Sequence, residues 1–208
     1  MKLLVLGATG GIGLELVKQA IEKRHEVTAF VRNPEALAEF GDKITAIKGD
    51  LLSSWDLRNV IPGHDAILSG FGPRVPIVKD EHDLLTRFAA ALTEAVKHTT
   101  LRRVLVVSVA FLFKDALLPP AYLLGKLFFP NVVRDTAAME DRIAESELAW
   151  TLIRPPQLTD KPLTGKYRVR EGHLPSLGLK ISRADVTDYM LRALQDNTTI
   201  GKIVGVAN

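Results

Sequence analysis

The fold is decided by the stretch Gly7-Ala8-Thr9-Gly10-Gly11-Ile12-Gly13, which stands between an apolar run at 2–6 and an amphipathic segment at 12–21. The apolar residues of that segment recur at helical spacing. A strand, a glycine-rich turn and a helix in this order form the context in which such a string binds phosphate. The first glycine permits a tight turn, the second lets a pyrophosphate approach the backbone, and the third lets the helix pack against the sheet. We therefore predict a phosphate site at the start of this helix.

Short apolar runs alternate with amphipathic segments along the rest of the chain, which is typical of strands joined by helices. The expected strands lie at 2–6, 26–31, 44–47, 65–68, 103–109 and 150–153, and the expected helices at 12–21, 80–97, 132–147 and 183–194. Right-handed crossovers between such elements pair the strands in parallel. We predict an α/β fold, a Rossmann-like doubly wound parallel sheet in the order 3-2-1-4-5-6, to which residues 202–207 could add a seventh strand.

The texture of the sequence changes after Arg154, because prolines and glycines interrupt the chain as far as residue 179. We expect residues 1–208 to form a single Rossmann domain. Within it, residues 155–182 should contribute a small irregular lobe on the substrate side.

The 208-residue chain has 47% hydrophobic and 25% charged residues, the balance of a globular protein. Its net charge of +3 is spread along the chain, so we expect no nucleic-acid partner. The absence of cysteine excludes disulfides and a thiolate nucleophile, and the five histidines are too dispersed to suggest a metal site. Apolar runs are short and the chain begins with a strand pattern, so we expect no membrane partner, no signal peptide and a cytoplasmic protein.

The residue at the end of the second strand favours one coenzyme over another. Units that bind NAD usually place Asp or Glu there, where the carboxylate accepts hydrogen bonds from the ribose hydroxyls. This chain reads Phe30-Val31-Arg32-Asn33-Pro34 and has no acid at that point. The planar fork of Arg32 suits a 2′-phosphate, so we predict NADP(H) as the cofactor; the alternative is that Arg32 is only a solvated loop residue.

The other strand ends complete the predicted site, since ligands of open α/β sheets bind at the carboxyl ends of the strands. Asp50 and Leu51 follow the third strand and are expected to border the adenine, although Asp50 equally suits a turn or a helix cap. Arg74 follows the fourth strand and is expected at the pyrophosphate, and Ser108 ends the fifth. The predicted cofactor-binding residues are Gly7, Thr9, Gly10, Gly11, Ile12, Arg32, Asp50, Leu51, Gly70, Phe71, Gly72, Arg74, Ser108, Val109, Pro155 and Gln157.

Four stretches, at 7–13, 31–33, 49–51 and 150–156, together resemble the atypical short-chain dehydrogenases of the NAD(P)H-binding, NmrA-like type. Within that group the chain is most similar to the NADPH-dependent flavin reductases, also called biliverdin-IXβ reductases. The likeness covers nearly the whole chain and includes the residues at 110–112, 119–120, 155–157 and 160–167. It implies a monomeric NADPH-dependent reductase whose shallow, open site over the nicotinamide accepts flavins or tetrapyrroles.

Two positions depart from the pattern of that family. The family's active-site Ser falls on Val109, with Ser108 in the neighbouring Thr position, and its Pro-Pro-His reads Pro155-Pro156-Gln157. Hydride transfer to a flavin or quinone is less affected than reduction of biliverdin, because the nicotinamide carries the chemistry and water can supply the proton.

A second catalytic arrangement rests on Tyr122 and Lys126, which match the Y-x-x-x-K of ordinary short-chain dehydrogenases and lie downstream of Ser108. In such a triad Tyr donates the proton and Lys lowers its pKa. Prolines bracket the segment, however, so any helix there is short. In ordinary short-chain dehydrogenases the motif continues as Y-x-x-x-K-x-x-x-E, and with Glu140 as the final residue Val132 and Thr136 take the Tyr and Lys positions. The alternative is that 121–129 form an apolar lid over the substrate. Ser108 and Tyr122 are the predicted catalytic residues.

Three functions therefore compete. The first is an NADPH-dependent reductase of a small planar acceptor, such as a flavin or quinone. The second is a non-catalytic NADP(H)-binding regulator of the NmrA-like type. The third is a carbonyl reductase that depends on the Tyr/Lys pair.

Overall fold

The structure is a computed structural model that describes residues 1–72, 83–113 and 130–208. The strands of the described part are β1 (Lys2–Leu6), β2 (Glu26–Val31), β3 (Thr45–Lys48), β4 (Ala66–Ser69), β5 (Arg103–Val107), β6 (Ala149–Arg154), β7 (Gln157–Thr159), β8 (Arg168–Glu171), β9 (Lys180–Ser182) and β10 (Lys202–Ala207). Its α-helices are α1 (Gly11–Glu22), α2 (Ser54–Val60), α3 (Leu84–Val96), α4 (Pro130–Ala144) and α5 (Arg183–Ala193). No helix in these ranges is both long enough and apolar enough to cross a bilayer.

The main sheet has eight strands in the order β3-β2-β1-β4-β5-β6-β10-β8. The predicted order 3-2-1-4-5-6 is confirmed, and β10 adds the seventh strand by parallel pairing with β6. The eighth strand, β8, pairs antiparallel with β10 at the edge of the sheet and was not predicted. All four of its residues are exposed, and three of them are charged, as is common for an edge strand that must not pair with other chains.

The central strands are apolar on both faces because helices cover both sides of the sheet. The residues at 3–6 in β1 have no exposed surface, and those at 104–106 in β5 have none either. One hydrophobic layer is formed with α1 and α5, and the other with α2, α3 and α4. This sandwich fixes the positions of the strand ends from which the candidate site is built.

The segment at 155–182 was expected to be irregular, and this expectation is wrong in part. It contains β7 and β9, which pair with each other in parallel, and β8, which extends the main sheet. The prolines and glycines lie in the connections, so they interrupt the sequence pattern without preventing short strands between them. Apart from α3, two further elements differ from prediction by two residues or more at an end: β5 ends at Val107 and not at 109, and α4 covers Pro130–Ala144 and not 132–147.

The N-terminus of α3 is capped by a buried carboxylate from another helix. Asp135 of α4 accepts hydrogen bonds from the N–H groups of Leu85 and Thr86, both at 2.9 Å, and from the Thr86 hydroxyl at 2.6 Å. The predicted helix began at 80 with acids in its first turn, but residues 80–82 lie outside the described part and no acid occupies the first turn observed. The stabilising negative charge therefore comes from α4, which is thereby fastened to α3.

We predict that Asp135→Ala lowers the free energy of unfolding by about 2 kcal/mol, because two helix N–H groups lose a charged acceptor inside the protein. Urea denaturation followed by circular dichroism measures the change. Asp141→Ala, an exposed position on the same helix, is the control and should alter stability little. Equal effects of the two substitutions would contradict the capping role.

Candidate functional site

The residues predicted to bind a ligand follow the carboxyl ends of six parallel strands, which meet at one edge of the sheet. The glycine loop follows β1, Arg32 follows β2, Asp50 follows β3 and Gly70 follows β4. Ser108 comes directly after β5, and Pro155 comes directly after β6. This edge, called here the carboxyl edge, is where open α/β sheets bind their ligands.

The glycine loop packs so closely that side chains would not fit at two of its positions. Gly7 has a φ of 74°, and a Cβ there would lie 2.8 Å from the backbone N and Cα of Phe71. A Cβ on Gly13 would lie 2.0 Å from the carbonyl oxygen of Gly7. The loop is therefore held by backbone-to-backbone contact between β1, α1 and the segment that follows β4.

The first turn of α1 is open to an anion. Its N-cap is Gly10, which offers no side-chain cap, and no acid lies in the first turn. The first backbone hydrogen bond runs from Leu14 N to Gly10 O at 2.8 Å, and no described residue accepts from the N–H groups of residues 11–13. These donors and the positive end of the helix dipole form a site suited to phosphate.

Arg32 stands exposed at the end of β2, beside the glycine loop because β2 pairs with β1. Its guanidinium has no hydrogen-bond or ion-pair partner among the described residues. The following residue, Asn33, accepts from Glu35 N at 3.2 Å and begins a 3-10 turn. Arg32 therefore carries an uncompensated positive charge at the strand end that conventionally contacts the adenosine ribose.

Asp50 has the turn role that the sequence left open. Its Oδ1 accepts from Leu52 N at 3.0 Å, and its N–H donates to Asp56 Oδ2 at 2.9 Å. The separate cap of α2 is Ser53, whose hydroxyl accepts from Asp56 N. Leu51 is buried in the hydrophobic layer below.

The segment Gly70-Phe71-Gly72 forms the floor beside the glycine loop. The centroid of the Phe71 ring lies 5.0 Å from that of the Phe88 ring in the core, so the backbone of Phe71 and not its side chain faces the glycine loop. A Cβ on Gly70 would lie 3.0 Å from Ile12 Cγ2, whereas no atom of the described residues lies within 4 Å of one on Gly72. Arg74 lies outside the described residues.

The ends of β5 and β6 are tied together around a buried hydroxyl. Ser108 N donates to Ile153 O at 2.7 Å, and Ala110 N donates to Pro155 O at 3.0 Å. The Oγ of Ser108 is buried and has no hydrogen-bond partner in the described chain. A buried hydroxyl without a partner is unusual in a folded protein, so Ser108 remains a candidate site residue. Val109 and Gln157 flank this point, and Gln157 is exposed.

A buried ion pair beneath this end of the site was not identified from the sequence. Arg154 pairs in a bidentate manner with Glu140 of α4, with Nε 2.9 Å from Oε1, and its guanidinium lies 4.6 Å from the centre of the Phe113 ring. In the sequence, Glu140 was considered only as the position from which the spacing of a Tyr/Lys pair is counted back. The pair fixes Arg154 immediately before Pro155, so it positions the loop that carries Gln157.

No Tyr/Lys pair occupies the described part of α4. The two positions reached by counting back are Val132 and Thr136, and the Thr136 hydroxyl donates to Val132 O at 2.7 Å. The predicted dyad of Tyr122 and Lys126, and the apolar segment at 121–129, lie outside the described residues.

Helix α5 holds the loop at 160–167 through two buried carboxylates. Asp185 accepts from the N–H groups of Thr164 and Gly165, each at 2.9 Å, and from the Thr164 hydroxyl. Burial acts to raise the pKa of Asp185, but these hydrogen bonds outweigh it and the net pKa is lowered. The sequence contains only a weak signal for this role of Asp185. Ser182, three residues before it, caps the helix by accepting a hydrogen bond from Asp185 N.

The second carboxylate, Asp188, accepts from the Tyr167 hydroxyl at 2.8 Å and pairs with Lys23, the C-cap of α1, and with Arg192 of its own helix. Burial, followed by the hydrogen bond to Asp188, raises the pKa of Tyr167 well above its ordinary value. Tyr167 is therefore an anchor for the loop and is poorly suited to donate a proton.

The fold and the open glycine-loop helix define a dinucleotide-binding protein of the Rossmann class. A family model described as NAD(P)H-binding matches residues 7–197, which is most of the chain. The protein belongs to this NAD(P)H-binding family.

Known proteins resemble the chain over nearly their whole length. Protein YwnB of Bacillus subtilis is 27% identical over 206 residues, which cover 94% of this chain and 92% of YwnB. A wide-type short-chain dehydrogenase/reductase from Veillonella parvula, solved in complex with NADP, superposes with a TM-score of 0.79 at 20% identity over 100% of this chain and 94% of its own. ChuY, an anaerobillin reductase of Escherichia coli O157:H7, superposes with a TM-score of 0.80 at 18% identity over 100% and 97%.

We predict that the stabilising effect of Asp185 depends on pH. Because its pKa is lowered on folding, its contribution is complete above the pKa of the unfolded carboxyl, near 4, and is lost as the pH falls through the folded value. The difference in free energy of unfolding between wild type and Asp185→Asn should be largest near pH 7 and shrink below about pH 4. Urea unfolding across that range tests it, with the exposed Asp42→Asn as control; a difference that stays constant with pH would contradict the assignment.

Proposed function

We propose that the protein is an oxidoreductase that binds NADPH and reduces a small planar acceptor of the flavin or quinone class. The observation that carries the proposal is the uncapped N-terminus of α1 beside the unpaired guanidinium of Arg32. Two anion sites, one made of backbone N–H groups and one of a side-chain cation, match the pyrophosphate and the 2′-phosphate of NADPH.

The described residues fit such a coenzyme along the whole carboxyl edge. The tight glycine loop would hold the pyrophosphate, and Arg32 would hold the 2′-phosphate. At the other end, the partnerless hydroxyl of Ser108 would hold the nicotinamide carboxamide. A bound reduced nicotinamide supplies the two electrons of the reaction as a hydride.

The choice of NADPH over NADH rests on Arg32. A carboxylate at this position would accept from the two ribose hydroxyls and repel a phosphate, whereas Arg32 attracts one. A charge-assisted hydrogen bond contributes about 1.5 to 3 kcal/mol, or roughly ten- to hundredfold in affinity. The structural neighbour from Veillonella parvula that holds NADP supports this choice for the shared fold.

The proposal of a planar acceptor rests on exposed apolar side chains beside Ser108 and Gln157. Phe111 is 39% exposed and is the middle residue of the 3-10 turn Ala110–Leu112. Leu179 is 62% exposed, and its carbonyl accepts from Gln157 N at 3.3 Å, so it lies next to Pro156. Such side chains can cover one face of a flat acceptor and exclude water from it. The likeness of fold to ChuY, an anaerobillin reductase, is consistent with a reductase activity.

We predict that Arg32→Gln raises the Kd of NADPH about ten- to hundredfold and leaves that of NADH unchanged, because only NADPH loses a charged contact. Titration of coenzyme fluorescence measures both constants. Arg142→Gln, which removes an equal charge from an exposed position on α4, is the matched control. Equal weakening of both coenzymes by Arg32→Gln would show that the guanidinium does not select the 2′-phosphate.

We predict that NADPH oxidation, followed by absorbance, proceeds with FMN or menadione and slows about five- to tenfold in Ser108→Ala. Because the Ser108 hydroxyl has no partner in the described chain, the substitution should not lower the free energy of unfolding. Thr187→Val, which removes another buried hydroxyl without a partner, is the control and should leave turnover unchanged.

The same assay separates the competing functions. Tight coenzyme binding without turnover of any acceptor would contradict the proposal and favour a regulator that only binds NADP(H). Turnover of small aldehydes that is lost in Tyr122→Phe would favour a carbonyl reductase instead.

A further inference from the structure

Arg183, the first residue of α5, lies across the glycine loop although the two are far apart in sequence. A Cβ on Gly11 would lie 2.6 Å from Nε of Arg183, 2.7 Å from its Cδ and 3.5 Å from its Cζ. The arginine side chain therefore fills the space that any side chain at position 11 would need. The lack of a side chain at Gly11 brings a guanidinium up to the first turn of α1, where the N–H groups are free.

The charge of Arg183 is met by one exposed carboxylate. Its NH1 pairs with Asp160, which follows β7 at the start of the loop at 160–167. The side chain of Arg183 is 29% exposed, whereas that of Asp160 is 90% exposed. An ion pair with such an exposed partner contributes little to stability, so holding the fold together is a weak reason for this arrangement.

We propose that Arg183 is a coenzyme-binding residue that clamps the pyrophosphate against the glycine loop, and that Asp160 is its counter-ion when no coenzyme is bound. This inference rests on the proposed NADPH-binding function. A guanidinium is suited to the task because its planar fork donates two hydrogen bonds to phosphate oxygens at once. The phosphate oxygens take the place of the Asp160 carboxylate, and no covalent bond changes.

The location of Arg183 also links coenzyme binding to the loop at 160–167. The same helix carries Asp185, which accepts from the N–H groups of Thr164 and Gly165. Asp160, the partner of Arg183 when no coenzyme is bound, lies at one end of that loop. The loop at 160–167 therefore contacts both Arg183 and Asp185. A pyrophosphate that draws Arg183 away from Asp160 frees the start of the loop while its middle stays fixed to α5.

The test compares ligands that carry different parts of the coenzyme. Isothermal titration calorimetry gives the Kd of NADP⁺, of ADP-ribose, which has the pyrophosphate without the 2′-phosphate, and of adenosine 2′-monophosphate, which has the reverse. We expect Arg183→Gln to raise the Kd of NADP⁺ and of ADP-ribose about tenfold and to leave the Kd of adenosine 2′-monophosphate unchanged. Arg32→Gln should raise the Kd of NADP⁺ and of adenosine 2′-monophosphate and leave that of ADP-ribose unchanged, and Arg142→Gln should change none of the three. Thermal unfolding of each variant checks that the fold is intact.

A double-mutant cycle tests the counter-ion. Asp160→Asn should tighten ADP-ribose binding a few-fold when Arg183 is present, because the phosphate no longer competes with a carboxylate, and should do so less in the Arg183→Gln background. Arg183→Lys, which keeps the charge without the fork, should lose affinity to an intermediate degree.

The outcomes separate this inference from the proposed function. If wild type binds neither NADP⁺ nor ADP-ribose, the proposed function itself fails. If wild type binds both and Arg183→Gln alters their Kd less than twofold, Arg183 is only half of a surface ion pair and the inference is overturned. An equal rise in the Kd of all three ligands in Arg183→Gln would also overturn the inference, since that result indicates a general disturbance of α5.

Discussion

The close approach of three backbone segments at the carboxyl edge is the constraint on which the rest of the structure depends. The loop after β1 must pass within van der Waals distance of the loop after β4, and α1 must begin directly against both. Glycine at positions 7 and 13 makes this geometry possible, since a Cβ at either would overlap backbone atoms. Moving α1 outward by even one methyl group would withdraw its free N–H groups from the sheet edge, and the strain would be felt throughout the packed layer beneath.

Buried carboxylates hold the helices in register around that constraint. Asp135 fastens α4 to the N-terminus of α3, Asp185 fastens the loop at 160–167 to α5, and Asp188 joins α5 to α1. Each of them accepts from backbone N–H groups or from cations, so none is a buried charge without compensation. These contacts lie where elements join, whereas the sheet itself is held by apolar packing on both faces. The division is physically sensible, because a directional bond fixes relative position better than apolar contact does.

Much of the fold was predictable from the sequence because the relevant signals are local. The glycine loop, the alternation of apolar runs with amphipathic segments and the strand order follow from patterns within a few tens of residues. The edge strand β8 was missed because three of the four residues in Arg168–Glu171 are charged, and its pairing depends on a partner, β10, that is distant in sequence. The cap of α3 by Asp135 was missed for the same reason: local periodicity does not report which helix lies beside which.

The residues of the candidate site also divide into those that local sequence patterns locate and those that are placed by the packing of distant elements. The placement of the candidate residues at the strand ends could be predicted, since a parallel sheet brings every carboxyl end to one edge, and a residue such as Arg32 has its location fixed by the strand before it. Arg183 could not be predicted, because its nearness to Gly11 arises from the packing of α5 on α1 and not from any motif. The acceptor side is harder still, since Phe111 and Leu179 lie in loops whose course depends on contacts such as that between Arg154 and Glu140. On the proposed function, the fold can retain its coenzyme while its acceptor changes, because the glycine loop is fixed by backbone contacts whereas the acceptor side is built from exposed side chains in loops.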